Sequence, residues 1–180
     1  MSTEQNGLLT AGVDAVSRAR LKVLIFGPGE SGGEMYKKRC ELRERLKELG
    51  HNALFPEEIC TAETLEKSGL NLTLFERALA YTFDYIICLM ASPGSIGEAH
   101  DFGKERNLAS KMIICIDCQH KNSYAAHGLL RLFEGFHGRI DWFAYPADIK
   151  ECHLAARVVE QVKMVAEAKQ WEIAQGSHQA

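Results

Sequence analysis

Val23-Leu24-Ile25-Phe26-Gly27-Pro28-Gly29-Glu30-Ser31-Gly32-Gly33 is the stretch whose reading decides the fold. Its first four residues form an unbroken apolar run, which suits a strand buried on both faces of a sheet. Gly27 and Pro28 end that run. A helix is expected from about Gly33 to Leu49, because Met35, Leu42, Leu46 and Leu49 recur near helical spacing and Gly50 stops them. Strand, glycine-rich turn and helix together make the opening unit of a parallel α/β sheet.

Further along, the same alternation repeats. Asn52 to Phe55 reads as a short strand closed by Pro56, and residues 57–70 carry no clear pattern. Thr73 is expected to cap a helix running through Phe83, with Leu74, Ala78 and Leu79 on one face. Tyr85 to Met90 is a third buried strand. Ser92-Pro93-Gly94-Ser95 follows as a turn, with a helix to about Asn107. Met112 to Ile116 is another apolar strand, followed by a helix from Ser123 to Phe133 and a strand from Ile140 to Phe143. A long helix from about Lys150 to Trp171 closes the pattern, with Leu154, Val158, Val162 and Val165 inward. The expectation is an α/β fold: a flavodoxin/Rossmann-like three-layer sandwich with a mostly parallel sheet of about five strands. Residues 1–20 are expected to form an N-terminal arm, 21–173 a single domain and 174–180 a disordered tail.

Bulk properties narrow the function classes. The chain has 180 residues, enough for one core, and a net charge of -3. That charge argues against a broad basic face, so no direct nucleic-acid binding is expected. The start has neither the basic residues nor the apolar stretch of a signal peptide, and no run is long enough to span a bilayer. A cytoplasmic protein without membrane contact is expected. The six cysteines, Cys40, Cys60, Cys88, Cys115, Cys118 and Cys152, are scattered through the chain and fit free thiols in a reducing compartment.

In parallel sheets ligands bind outside the carboxyl ends of the strands, where this chain places its glycines. Gly27, Pro28 and Gly29 open the first loop, which formally holds a G-x-G-x-x-G pattern. Pro28, Glu30 and Pro56 make it a poor dinucleotide fingerprint, and a tight connecting turn is the bland alternative. The second loop runs from Ser92 to His100. Gly94 and Gly97 keep it bare, and Glu98 is expected in the first helical turn, held ionised by the helix N-terminus. A positioned carboxylate of this kind can attack a sugar carbon as its base departs. The same spacing also reads as a capping box, Ser95-x-x-Glu98, which recurs at Ser31-x-x-Glu34 and Thr73-x-x-Glu76.

Other clusters carry less. Cys115-x-x-Cys118 with His120 and His127 has no second ligand pair, so no metal and no cofactor are expected. His100 and Tyr36 are read as incidental and packing residues, Trp142 and Tyr145 as core or rim. The run from Lys37 to Lys47 alternates in sign and reads as a solvated helix face.

The ordered set Phe26-Gly27-Pro28-Gly29, Gly50-His51, Phe55-Pro56, Phe83-Asp84-Tyr85-Ile86-Ile87-Cys88, Pro93-Gly94-Ser95-Ile96-Gly97-Glu98 and Met112 to Ile116 resembles the nucleoside 2-deoxyribosyltransferase-like superfamily. A more distant likeness links it to TIR and SLOG-type nucleotide-binding domains. The likeness covers residues 21 to about 118. It implies that Glu98 is the nucleophile that takes the sugar, and that Gly27 and Pro28 line the sugar pocket. Gly29, Asp84, Ser92, Gly94 and Ser95 are expected to join them in binding substrate. The transferases often carry an aspartate where this chain has Ser92, which leaves hydrolysis of a nucleotide, or binding without turnover, more open than exchange of bases. Relatives of this kind include toxic N-glycosidases and NAD-consuming effectors of bacterial anti-phage systems. The resulting expectation is an N-glycosidase acting on NAD or a nucleoside monophosphate, assembled as a homo-oligomer or restrained by a regulatory partner. The alternatives are a deoxyribosyltransferase and a non-catalytic nucleotide sensor.

Overall fold

The apolar runs become the strands of one sheet. In the computed structural model residues 19–176 are described, so residues 1–18 of the expected arm and the last four residues lie outside it. Five strands, β1 (Lys22–Phe26), β2 (Asn52–Leu54), β3 (Tyr85–Leu89), β4 (Met112–Asp117) and β5 (Arg139–Phe143), pair in the order β2-β1-β3-β4-β5. Every pairing is parallel. The expected Rossmann-like sandwich is present, and its sheet, expected to be mostly parallel, is parallel throughout in the flavodoxin-like order.

Alternation along the central strands divides the core in two. Val23, Ile25, Tyr85, Ile87, Ile113 and Cys115 face α1 (Glu34–Glu48) and the C-terminal helix α8 (His153–Gly176). Leu24, Phe26, Ile86, Cys88, Ile114 and Ile116 face the opposite layer. That layer contains α3 (Leu72–Tyr81), α4 (Pro93–Phe102), α5 (Arg106–Ala109) and α6 (Arg131–Gly135). Two-sided burial is why these runs read as continuously apolar. Leu154, Val158 and Val162 of α8 are buried as expected, and Val165 packs against the same cluster. Among the described residues no helix is long and apolar enough to cross a membrane.

The helix boundaries depart from the sequence reading in physically specific ways. The unassigned stretch holds a 3-10 turn at Pro56–Glu58 and the helix α2 (Ala62–Ser68). Thr61 caps α2 through the N–H of Thr64, and Gly69 ends it at φ 66°. Asn71, not Thr73, caps α3 by accepting from the N–H of Leu74. The inward face of α3 consequently carries Phe75, Glu76, Leu79 and Ala80, while Leu74 and Ala78 are exposed. The helix expected to run to Asn107 stops at Phe102 and resumes as α5. A π-helical turn, Ala126–Leu130, precedes α6. The expected helix from Lys150 is divided into α7 (Ala147–Lys150) and α8, with Cys152 at φ 62° between them. α8 runs to Gly176, past the expected boundary at Ile173.

Candidate active site

The chain order reverses between β1, which leads outward to β2, and β3, which leads outward to β4. Crevices at such a switch point receive ligands in open α/β sheets. The loops after β1 and β3 bring Gly27, Pro28, Gly29, Ser92, Gly94, Ser95 and Glu98 to this end of the sheet. Asp84 is not among them. It precedes β3 at the amino end, where its carboxylate accepts from the N–H of Lys22 at 2.7 Å and pairs with Lys169 at 2.5 Å. These partners hold its pKa below the usual range despite burial. Asp84 ties α8 to the sheet rather than joining the crevice.

The second loop begins its helix three residues earlier than expected. Ser92 is the N-cap of α4 and Pro93 occupies the first turn. The Ser92 Oγ accepts from the N–H of Ser95 at 3.2 Å. In return the Ser95 Oγ accepts from the N–H groups of Ala91 and Ser92. Ser95 thus fills the reciprocal place that glutamate usually takes in a capping box. Both hydroxyls are committed to the backbone. The expected Ser95-x-x-Glu98 box is absent, and Glu98 lies in the second turn.

That displacement changes the chemistry of Glu98. The helix N-terminus that was expected to keep it ionised is out of reach, since its effect fades within one turn. Burial instead raises the Glu98 pKa to about 8, with the nearby charge of Glu76 adding to the rise and Arg39 opposing it. Among the described residues, the Glu98 Oε2 is buried without a hydrogen-bond partner. The two other expected boxes are also unrealised. Ser31 belongs to a 3-10 turn, and α1 is capped at Gly33 with no side-chain bond. Glu76, released from any capping duty, turns inward from α3, where burial and Glu57 raise its pKa.

Arg39 departs from the solvated face that the sign alternation of Lys37 to Lys47 predicts: it is only 1% exposed. Its Nε and Nη2 donate to the carbonyl of Ile25 at 3.2 and 2.7 Å, and Nη1 donates to the carbonyl of Pro28 at 3.3 Å. It also forms a two-pronged pair with Glu57 at 2.6 and 2.8 Å and stacks 4.0 Å from the Phe55 ring centroid. Lys38 is buried as well, donating to Glu41 and to the Cys152 sulfur. A legible signal existed for Arg39: it fills the gap between Met35 and Leu42 in the apolar stripe of α1.

Arg39 also explains the first loop. A Cβ built on Gly27 would lie 3.1 Å from the Leu89 Cβ and 3.2 Å from the Arg39 Cδ, so this glycine admits the arginine. A Cβ on Gly32 would strike Pro28 at 2.4 Å. Gly29 and Gly97 have nothing within 4 Å of that position, which leaves their surfaces open to a ligand. The arrangement is a crevice carrying three carboxyls, Glu57, Glu76 and Glu98, and one guanidinium already saturated by its partners. It favours a cation or a centre that becomes positive during reaction. Among the described residues no group of histidine, cysteine or acidic side chains has the arrangement of a metal site.

No curated protein matches the chain. The profile of the family described as STM3845 retron effector protein matches residues 36–180, which includes α1 from its third residue onward, Glu76 and Glu98. That match spans most of the sequence, and the chain belongs to the STM3845 retron effector protein family.

Proposed function

We propose that this protein is an N-glycosidase that hydrolyses the N-glycosidic bond of a nucleotide or nucleoside, such as NAD or a nucleoside monophosphate. Its family membership supports a role as the effector of an anti-phage system. One observation carries the reading: the Glu98 carboxyl at the switch-point crevice, whose Oε2 is buried without a hydrogen-bond partner and which lies among further carboxyls.

The chemistry follows from that placement. As the base leaves with the C1′–N electron pair, the sugar carbon becomes oxocarbenium-like. The Glu98 carboxylate attacks C1′ and forms a glycosyl ester; nicotinamide leaves neutral with the bonding pair, whereas the base of a nucleoside monophosphate also takes a proton from solvent. Water then adds at C1′ and gives up a proton to solvent, the ester C1′–O bond breaks, and Glu98 is regenerated as a carboxylate. Glu57 and Glu76 stabilise the positive sugar through the field. A substrate with a cationic base, such as nicotinamide, would also favour ionised Glu98 before the bond breaks. An unrestrained enzyme of this kind would harm its host, so the reading includes a homo-oligomeric or partner-bound resting form.

The test is base release from NAD and from nucleoside monophosphates, measured by chromatography for the wild-type protein, Glu98→Gln and Glu34→Gln. Glu98→Gln is expected to lower the rate by a factor on the order of a thousand or more. Glu34, exposed on the first turn of α1, serves as the control. Free base with a water-derived sugar indicates hydrolysis, whereas a new nucleoside indicates transfer. Unchanged turnover in a folded Glu98→Gln protein would end the proposal.

A further inference from the structure

Glu98 occupies one flank of α4. Residues two apart on a helix differ by about 200° in direction, so Ile96 and His100 face the other flank. There, at the carboxyl ends of β3 and β4, two adjoining cavities of about 290 Å³ each share Met90, Ile96, Tyr124 and Ala125. Neither cavity is assigned a role by the reaction proposed for Glu98.

The walls and ends of this groove differ in kind. Its walls are apolar, and the π-helical turn Ala126–Leu130 contributes Gly128 and Leu129. Such turns recur at functional sites because they open the helix surface. The ring of Tyr124 is 94% exposed at the rim, available to stack on a flat ligand. One end holds Lys104, whose Nζ lies 3.0 Å from the His100 Nδ1. The other end holds His120 and Ser123. Among the described residues, the Ser123 Oγ is buried without a partner. No aspartate or glutamate lines either cavity.

We propose that this groove is a second nucleotide site, which takes a 5′-mononucleotide on the flank of α4 opposite Glu98. Tyr124 stacks on the base, His120 and Ser123 meet its heteroatoms, and Lys104 with His100 receives the phosphate. The volume suits a ligand of that size. Polar groups at both ends favour a nucleotide over an acyl chain, which is polar at one end only. Charge is compatible with that assignment: no acidic side chain lines the groove, and Lys104 and His100 stand at one end of it, with Asp101 3.5 Å from the His100 Nδ1.

The inference is independent of the reaction at Glu98, and the experiment uses the Glu98→Gln protein so that no ligand is consumed. Methyl NMR of this variant, labelled at isoleucine and methionine, is titrated with AMP, GMP, CMP and UMP. Saturable shifts of Met90 and Ile96 are expected with at least one of the four. Adding Tyr124→Ala or Lys104→Gln should weaken that binding about tenfold, equivalent to about 1.4 kcal/mol, and Lys104→Gln should also erase the preference over the parent nucleoside. Glu76→Gln should leave the binding unchanged. The proposal is overturned if none of the four shifts these methyls at millimolar concentration. It is equally overturned if Glu76→Gln weakens binding while Tyr124→Ala and Lys104→Gln do not, which would put the nucleotide on the Glu98 flank. Saturation of the same methyls by dodecanoate alone would also overturn it, by identifying an acyl site.

Discussion

The two flanks of α4 share a helix but not a design. Toward β1, Glu98 is buried in a charged crevice where Arg39 is fixed by two carbonyls and Glu57. Toward β4, Ile96 is half exposed and the neighbouring Tyr124 almost fully exposed over apolar walls. The first flank is held in place by hydrogen bonds that the fold itself requires. The second has few bonds to lose. Stability and site chemistry are therefore coupled on one side and separable on the other.

The largest effect that would break this contrast comes from Arg39. Arg39→Met would leave the carbonyls of Ile25 and Pro28 without their side-chain donor and Glu57 without its partner. A loss of about 3 kcal/mol is expected, from the usual cost of orphaned buried groups. Urea unfolding measures it, and a loss below about 1 kcal/mol would show that the crevice does not depend on this arginine.

A pH profile sharpens the same side. If the Glu98 carboxylate attacks the sugar, base release should rise with pH through about 8, not through the usual carboxylate range. Glu76→Gln removes a neighbouring negative charge and should move that midpoint downward. Stability should run the other way. The folded protein holds the Glu98 proton up to about pH 8, whereas the unfolded chain releases it near 4.5. The contribution to stability therefore falls as pH rises between those values. Glu98→Gln should flatten that part of the curve of melting temperature against pH. A rate midpoint near 4.5 would contradict the burial argument.

The smallest effect belongs to the other flank. Tyr124→Ala should change unfolding free energy by no more than about 0.5 kcal/mol, because the side chain is almost fully exposed. A larger loss in the melting curve would make Tyr124 a packing residue and erase the contrast.

The strands and the switch point were legible because a two-sided buried strand writes an apolar run, and glycine and proline punctuate it. Details of the crevice were less so. Ser92-Pro93 has the composition of a turn, although proline also suits the first turn of a helix already under way. That shift moved Glu98 from a stabilising helix end into a buried second turn, and it reversed the expected charge state. For Arg39 the sign alternation around it predicts solvent, whereas its place in the apolar stripe between Met35 and Leu42 is the better signal. Glu76 was obscured because its capping spacing with Thr73 offered a sufficient local explanation. Asp84 and the groove beside Tyr124 depend on contacts between distant segments, which no local pattern records.

Cys88 and Cys115 are both fully buried, on adjacent strands but in opposite halves of the core. Burial also raises both thiol pKa values well above the usual range, so neither reacts readily in the folded state. The sheet thereby carries two silent clocks, one for each layer. Under a slow thiol reagent, equal labelling times would mean that the layers open together. Earlier labelling of Cys88 would mean that the layer bearing α3 and α4 loosens first, exposing the crevice without dismantling the rest.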